Sequence, residues 1–115
     1  KTTARVIWGG YLGRSYEEKL LISISGDPGS SITLTFSYNS YYTNHVKYCC
    51  KGYFWLFCST VARTDTQDSS SRFSVSDDKI QKTLTVKMNN LMETDTSYYW
   101  CAVEIDYWSN ITKKT

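Results

Sequence analysis

Short runs in which apolar and polar residues alternate recur along the chain, and no apolar pattern at helical spacing persists beyond about two turns. Leu20, Ile22 and Ile24 alternate with Leu21 and serines before Gly26-Asp27-Pro28-Gly29, after which Ile32, Leu34, Phe36 and Tyr38 alternate with Thr and Ser. The Gly, Asp and Pro residues predict two strands joined by a tight connection. Residues 46–51 predict a third strand and Ser59–Arg63 a further one, with an aromatic stretch running to Phe57 between them. A polar loop over 65–71 follows. Phe73 and Val75 then alternate in a short strand, Asp77-Asp78-Lys79 turns, and Leu84, Val86 and Met88 alternate in the next. Each such strand buries one face. Ser97–Val103 predicts another strand, and a weaker pattern over 108–113 one more. Strands at this spacing, with turn residues between them, predict an all-β, two-sheet sandwich of about a hundred residues.

With 115 residues, 41% of them hydrophobic, the chain is long enough for one domain with a core. No apolar run approaches the roughly 18 residues that cross a bilayer. Thirteen Lys plus Arg stand against eleven Asp plus Glu and are scattered along the chain, so no electrostatic case for nucleic acid arises. No charged-then-apolar leader precedes a small-residue cleavage site, so the expectation is a mature fragment whose signal peptide and anchor lie outside it. Cys49, Cys50, Cys58 and Cys101 are even in number, and Asn110-Ile111-Thr112 is an N-glycosylation acceptor pattern. Both point outside the cytosol. A zinc site from His45, Cys49, Cys50 and Cys58 does not suit the spacing, because adjacent residues of a strand point to opposite faces. No catalytic constellation emerges either: His45 has no assignable partner, the cysteines serve better as bridges, and there is no Gly-rich phosphate loop. The expectation is therefore a chain without enzyme activity, metal or cofactor.

Individual residues narrow the fold. Within Asp95-Thr96-Ser97-Tyr98-Tyr99-Trp100-Cys101, Tyr99 stands two residues before a cysteine, the tyrosine-corner spacing of strand F in immunoglobulin domains. Arg72-Phe73-Ser74-Val75-Ser76 resembles the variable-type D strand, whose Arg pairs with the Asp that stands at Asp95; the role expected of that pair is structural. The run Val46-Lys47-Tyr48-Cys49-Cys50-Lys51-Gly52-Tyr53, with Cys58 beyond the loop and Tyr98-Tyr99-Trp100-Cys101-Ala102-Val103-Glu104, resembles the polymeric-immunoglobulin-receptor-like and leukocyte mono-immunoglobulin-like receptors. Relatives of that group include the triggering receptors of myeloid and natural killer cells. The resemblance covers roughly residues 20–104. It implies a V-type Greek-key sandwich over 20–115, an extension of unassigned structure over 1–19, and the extracellular ectodomain of a single-pass plasma-membrane receptor of innate immunity, often paired with a signalling adaptor through segments outside this chain.

Two departures from that family matter. Its strand B carries a Cys and its strand C a Trp; here Phe36 and Cys49 hold those positions. The family register sets strand C beside strand F in one sheet, where opposed Cα atoms lie about 4.5–5.5 Å apart, and so implies a Cys49–Cys101 bridge, with Phe36 filling core volume that the Trp vacates. Cys50 would then face outward and pair with Cys58. Bare alternation instead groups Val46, Tyr48 and Cys50 on one face and the lysines with Cys49 on the other, which favours Cys50–Cys101 with Cys49–Cys58. A direct Cys49–Cys50 bond would strain the backbone. The residues after Cys101 lack the glycine bulge common in V-type G strands, so the last strand is expected to be short or incomplete and to leave an edge open.

The strongest functional signal is Tyr53-Phe54-Trp55-Leu56-Phe57, pinched between Cys50 and Cys58. A loop cannot bury all five. Some are expected to fold onto the outer sheet face beside Trp100, and the rest to serve recognition, since a stapled aromatic tip has little order left to gain on binding. The B–C loop offers Tyr41, Tyr42, Asn44 and His45, and the F–G loop Glu104, Asp106, Tyr107 and Trp108; both are expected at the same end or flank. These residue types suit rigid contact and adaptable hydrogen bonding. Three partners follow: a protein ligand, a phospholipid surface into which Phe54, Trp55 and Leu56 insert, or a second copy meeting the open sheet face. Related phospholipid-binding immunoglobulin domains hold calcium in an acidic, aromatic F–G loop, which Asp106 and Trp108 loosely echo. Immunoglobulin transport, the namesake activity of part of the family, is a further possibility.

Overall fold

The structure, a computed structural model, describes residues 3–8, 19–66 and 71–104. Its strands are β1 (Thr3–Trp8), β2 (Lys19–Ser25), β3 (Ile32–Ser37), β4 (Lys47–Lys51), β5 (Ser59–Arg63), β6 (Phe73–Asp78), β7 (Thr83–Met88) and β8 (Ser97–Val103). They form a five-stranded sheet in the order β1-β2-β8-β4-β5 and a three-stranded sheet in the order β3-β7-β6. All pairs are antiparallel. In immunoglobulin terms β3 is strand B, β4 is C, β6 is D, β7 is E and β8 is F.

Period-two alternation carries most of this. Leu20, Ile22 and Ile24 of β2, Leu84, Val86 and Met88 of β7, and Tyr99, Cys101 and Val103 of β8 send alternate side chains into one core, together with Phe36, Val75 and Leu91. Fully burying one such aliphatic side chain contributes about 1.5–3 kcal/mol. The tight connection after β2 crosses between sheets: Gly29 takes a positive φ of 82°, its N–H donates to the Leu91 carbonyl at 2.7 Å, and the Leu91 N–H donates to Ser30 at 2.8 Å.

The turn predicted at Asp77-Asp78-Lys79 begins later, because β6 continues through Asp78. The Asp78 carboxylate accepts from the Ile80 and Gln81 N–H groups, so this residue caps the turn from the strand end. Before residue 19, Thr3–Trp8 forms an edge strand, with β1 paired along β2. The weak strand pattern over 108–113 lies outside the described residues.

No cystine spans the two sheets. Cys49 and Cys101 are register partners on β4 and β8, bonded with Cα atoms 4.0 Å apart, and Phe36 sits in the same core cluster. Among the described residues, the sheets are joined instead by packing and by two ion pairs. At one end, the Arg72 guanidinium donates to Asp95 at 2.7 and 3.2 Å, the Met92 N–H donates to the same carboxylate at 2.8 Å, and the Tyr99 hydroxyl donates to the Asp95 carbonyl. The Arg72 hydrogen bond holds the Asp95 carboxyl below its ordinary pKa. At the other end, Lys47 of β4 reaches Asp77 of β6 at 2.6 Å.

Lys47 settles the conflict over the faces of β4. The lysine face is the inner one: the Lys47 side chain is 0% exposed. Its ammonium also donates to the Thr43 carbonyl at 3.0 Å and lies 4.0 Å from the centre of the Tyr38 ring, while the Tyr38 hydroxyl donates to Asp77. Alternation treats a lysine as an outward marker; here a carboxylate from the opposite sheet overrides it.

Candidate functional site

Cys50 is the next residue after Cys49, so the pleat turns its side chain to the outer face of the five-stranded sheet. There it bonds Cys58, eight residues on, with Cα atoms 5.4 Å apart. A register shift between Cys49 and Cys50 in the β4–β5 pairing accommodates the bridge. Gly52 opens the loop with its N–H donating to the Tyr98 carbonyl at 2.9 Å. A Cβ at Gly52 would lie 3.0 Å from the Cys58 backbone, so the close approach of the loop's two ends requires glycine. The single turn Trp55–Phe57 then closes with the Phe57 N–H donating to Phe54.

Trp55 is the residue that folds back. Its ring lies 6.1 Å from Tyr48 and 5.9 Å from Trp100, centroid to centroid, and the Trp100 indole N–H donates to the Gly52 carbonyl at 3.1 Å. Tyr53 meets Tyr98 edge-on at 5.4 Å. Tyr48, Tyr98 and Trp100 therefore form an aromatic floor on which the stapled loop rests, and burial raises the Tyr48 hydroxyl above its ordinary pKa. The rest of the tip faces water: Phe54 is 69%, Leu56 83% and Phe57 80% exposed. No charged residue occurs from Gly52 through Ala62, so the tip is apolar and uncharged.

Trp55 thus packs against the sheet face, whereas Phe54 and Leu56, grouped with it above as a single probe, stay exposed. Phe57 is exposed beside them. Sequence reasoning also passed over Tyr48 and Tyr98 as surface residues. Period two sets Tyr48 with Cys50 on one face of β4 and Tyr98 with Trp100 on the matching face of β8, but that face is recognised as the outer one only once Cys49 is paired with Cys101.

The B–C segment lies elsewhere. It enters β4 at Lys47, whereas the stapled loop leaves β4 after Lys51, so those two occupy opposite ends of the strand; the B–C segment meets instead the start of the F–G segment, where the Glu104 N–H donates to the Val46 carbonyl at 2.7 Å. Asn39 caps a turn over Ser40–Tyr42 by accepting from the Tyr41 N–H at 2.9 Å. That turn buries Tyr42 in the core, which removes it as a contact residue, and leaves Tyr41 exposed instead. His45 is partly buried against the two tyrosine rings, and its Nδ1 has no hydrogen-bond partner among the described residues. Glu104 accepts from Arg63 at 3.1 and 3.2 Å. Asp106, Tyr107, Trp108 and Asn110 lie outside the described residues. Among those described, no group of three or more His, Cys, Asp or Glu side chains is placed to hold a metal ion, and no helix is long and apolar enough to cross a membrane.

A two-sheet antiparallel sandwich with a tyrosine corner and an Arg72–Asp95 pair closing one end is an immunoglobulin domain of variable type, here with Cys101 bonded inside the β8–β4 sheet instead of across the sheets. The chain belongs to the immunoglobulin V-set family, whose domain profile matches residues 22–115. It is similar to human CMRF35-like molecule 2, with 32% identity over 94 residues that cover 76% of this chain and 46% of that protein. Mouse CMRF35-like molecule 3 is 31% identical over 83 residues, 70% of this chain and 34% of that protein. Human CMRF35-like molecule 1 is 31% identical over 85 residues, 71% of this chain and 29% of that protein. The chain therefore spans less than half the length of these relatives. Among solved structures, the teleost fish polymeric Ig receptor ectodomain aligns with a TM-score of 0.61 and 32% identity, covering 68% of this chain and 36% of that one.

Proposed function

We propose that this domain is the extracellular recognition module of an innate immune cell-surface receptor, and that it binds a protein partner through the stapled loop and the aromatic sheet face without catalysis. One observation carries the reading: Phe54, Leu56 and Phe57 stand in water on a turn fixed at its ends by Cys50–Cys58 and from beneath by Trp55. Large side chains held rigid before contact lose little entropy on binding and act as anchors in a partner's pockets. The similarity to CMRF35-like molecules and to a polymeric Ig receptor ectodomain supports the extracellular placement and the receptor role. An adaptor would be engaged through segments beyond this chain.

The test is staining of leukocytes with the tetramerised domain, comparing wild type with Leu56→Asp and comparing untreated cells with trypsin-treated ones. A protein partner predicts staining that falls at least tenfold in the variant, about 1.4 kcal/mol or more, and disappears after trypsin. Staining that survives trypsin, together with co-sedimentation on phosphatidylserine or phosphatidylcholine vesicles, would move the surface to lipid. Failure of both, with sedimentation showing a dimer that Leu56→Asp abolishes, would move it to homotypic association.

A further inference from the structure

Beside the Lys47–Asp77 pair, a cleft of about 380 Å³ opens between the B–C segment, the residues after β5, and β6 with its turn; Asn44, His45, Asp65, Ser76, Asp77 and Lys79 line it. Sites for small ligands have volumes of roughly 300–1,000 Å³. The cleft lies at the start of β4, whereas the stapled loop leaves that strand's far end, so the two surfaces are separate. Its polar groups fall into two sets. The carboxylates are already engaged, Asp77 by Lys47 and the Tyr38 hydroxyl, and Asp65 by the Arg63 guanidinium at 2.8 and 3.0 Å. The Asn44 amide, the Ser76 hydroxyl and the Lys79 ammonium make no hydrogen bond or ion pair among the described residues, and the buried Nδ1 of His45 has no partner there either.

We propose that this cleft is a second binding site and that its ligand is a neutral sugar ring. An anion would be set against the carboxylates of Asp65 and Asp77, and a cation would meet two carboxylates whose charge is already matched, with the unmatched Lys79 ammonium beside them. An apolar ligand would shut the amide, the hydroxyl and the ammonium away from water unpaired. What remains is an uncharged ligand rich in groups that both donate and accept. Vicinal hydroxyls do this: they donate to the lone pairs left on the Asp65 and Asp77 carboxylates and accept from Asn44, Ser76 and Lys79. The apolar C–H face of a sugar also has a partner, since the Tyr41 ring is 74% exposed and centred 5.8 Å from the His45 ring. The frame of the cleft is set before binding, because the buried Lys47–Asp77 pair fixes β4 against β6.

Nuclear magnetic resonance titration of the isotopically labelled full chain tests this, with the methyl glycosides of mannose, galactose, glucose and N-acetylglucosamine, and the corresponding free sugars, as probes. The expected result, for at least one sugar, is saturable shifts at the Asn44, Ser76 and Lys79 amides and at the ring of His45, the sole histidine of the chain. Ser76→Val and Asn44→Ala, both at exposed positions, should each weaken binding about fivefold or more while leaving Tm unchanged. Leu56→Asp, on the stapled loop, should leave sugar binding as it is. A methyl glycoside that binds as well as its free sugar marks the end of a glycan chain as the source, and binding confined to free sugars marks the monosaccharide; either supports the site. Absence of saturable shifts with every sugar, shifts that Ser76→Val and Asn44→Ala leave intact, or equal saturation by sodium acetate or methylammonium chloride overturns the proposal.

Discussion

Removing the carboxylate of Asp77 leaves the Lys47 ammonium between the two sheets with no counter-charge. Stripping one partner from a buried pair costs about 3–5 kcal/mol, because the remaining charge stays out of water. The lower part of that range applies here. The Thr43 carbonyl at 3.0 Å and the Tyr38 ring face at 4.0 Å both remain on the ammonium. Asp77→Ala should therefore cost about 3 kcal/mol, a fall of roughly 12 °C in Tm for a domain of this size. Lys47→Met with Asp77→Asn removes both charges, keeps an acceptor for the Tyr38 hydroxyl, and should cost about 1 kcal/mol or less. Urea unfolding followed by tryptophan fluorescence, with the cystines intact, measures each variant. The loss in Asp77→Ala should also shrink as the pH rises. Burial lowers the Lys47 pKa below its ordinary value, and losing Asp77 removes the main opposing effect. Between the folded and unfolded pKa values the unfolded chain binds more protons, so stability climbs with pH through that window. A double variant as unstable as the two single changes summed, or an Asp77→Ala loss under about 1 kcal/mol, would refute the assignment of this pair as the polar link between the sheets.

Arg72→Gln should lower stability at neutral pH and make little difference in acid. The Asp95 carboxyl is held below its ordinary pKa in the folded state, so its contribution is complete above the unfolded value and is lost as pH falls through the folded one; urea midpoints from about pH 6 to about pH 2 should converge with wild type. Phe36→Ala should cost about 3–5 kcal/mol in the same urea assay, since the ring is buried where no inter-sheet bridge compensates, and a loss below about 1 kcal/mol would show that the core closes over the gap. Cys50→Ala with Cys58→Ala should cost about 2.5 kcal/mol on the chain-entropy account of a bridge spanning eight residues, while the domain still melts cooperatively. Leukocyte staining by that double variant should fall further than stability does, because the tip loses its preorganisation; unchanged staining would count against the stapled loop as the contact.

The strands of the three-stranded sheet were plain in the sequence because each carries its burial in its own alternation, as Leu84, Val86 and Met88 do in β7. The cystine pairing became legible only through the family register, since local alternation around Cys49 and Cys50 pointed the other way. The misleading residue was Lys47. Its inward position depends on Asp77, in the opposite sheet and far off in sequence, and on Tyr38, which follows β3, and no window along β4 contains them. The N-terminal hairpin was illegible for a related reason: β1 has no partner of its own choosing and follows β2, which follows a place beside β8. The aromatic loop was evident as composition. Which of its residues would fold back was not, because that depends on Tyr48 and Trp100 lying side by side on neighbouring strands.

The two adjacent cysteines divide the labour of this domain. Cys49–Cys101 joins strands already hydrogen-bonded in one sheet, so it restricts the unfolded chain without holding the sheets face to face. That task falls to the apolar core, to Lys47–Asp77 and to Arg72–Asp95. Cys50 follows at once, and the pleat sends its sulfur outward, where it fixes a loop that the core does not need. The register that aligns Cys49 with Cys101 thereby also sets Cys50 and Trp100 side by side, placing the staple and the floor under Trp55 together. A one-residue slip of β4 would exchange the roles of its two faces, exposing Lys47 and burying Tyr48. The buried Lys47–Asp77 pair opposes that slip, since the ammonium meets its carboxylate only in the observed register. On this argument the pair that costs desolvation inside the sandwich also keeps the aromatic surface on the outside.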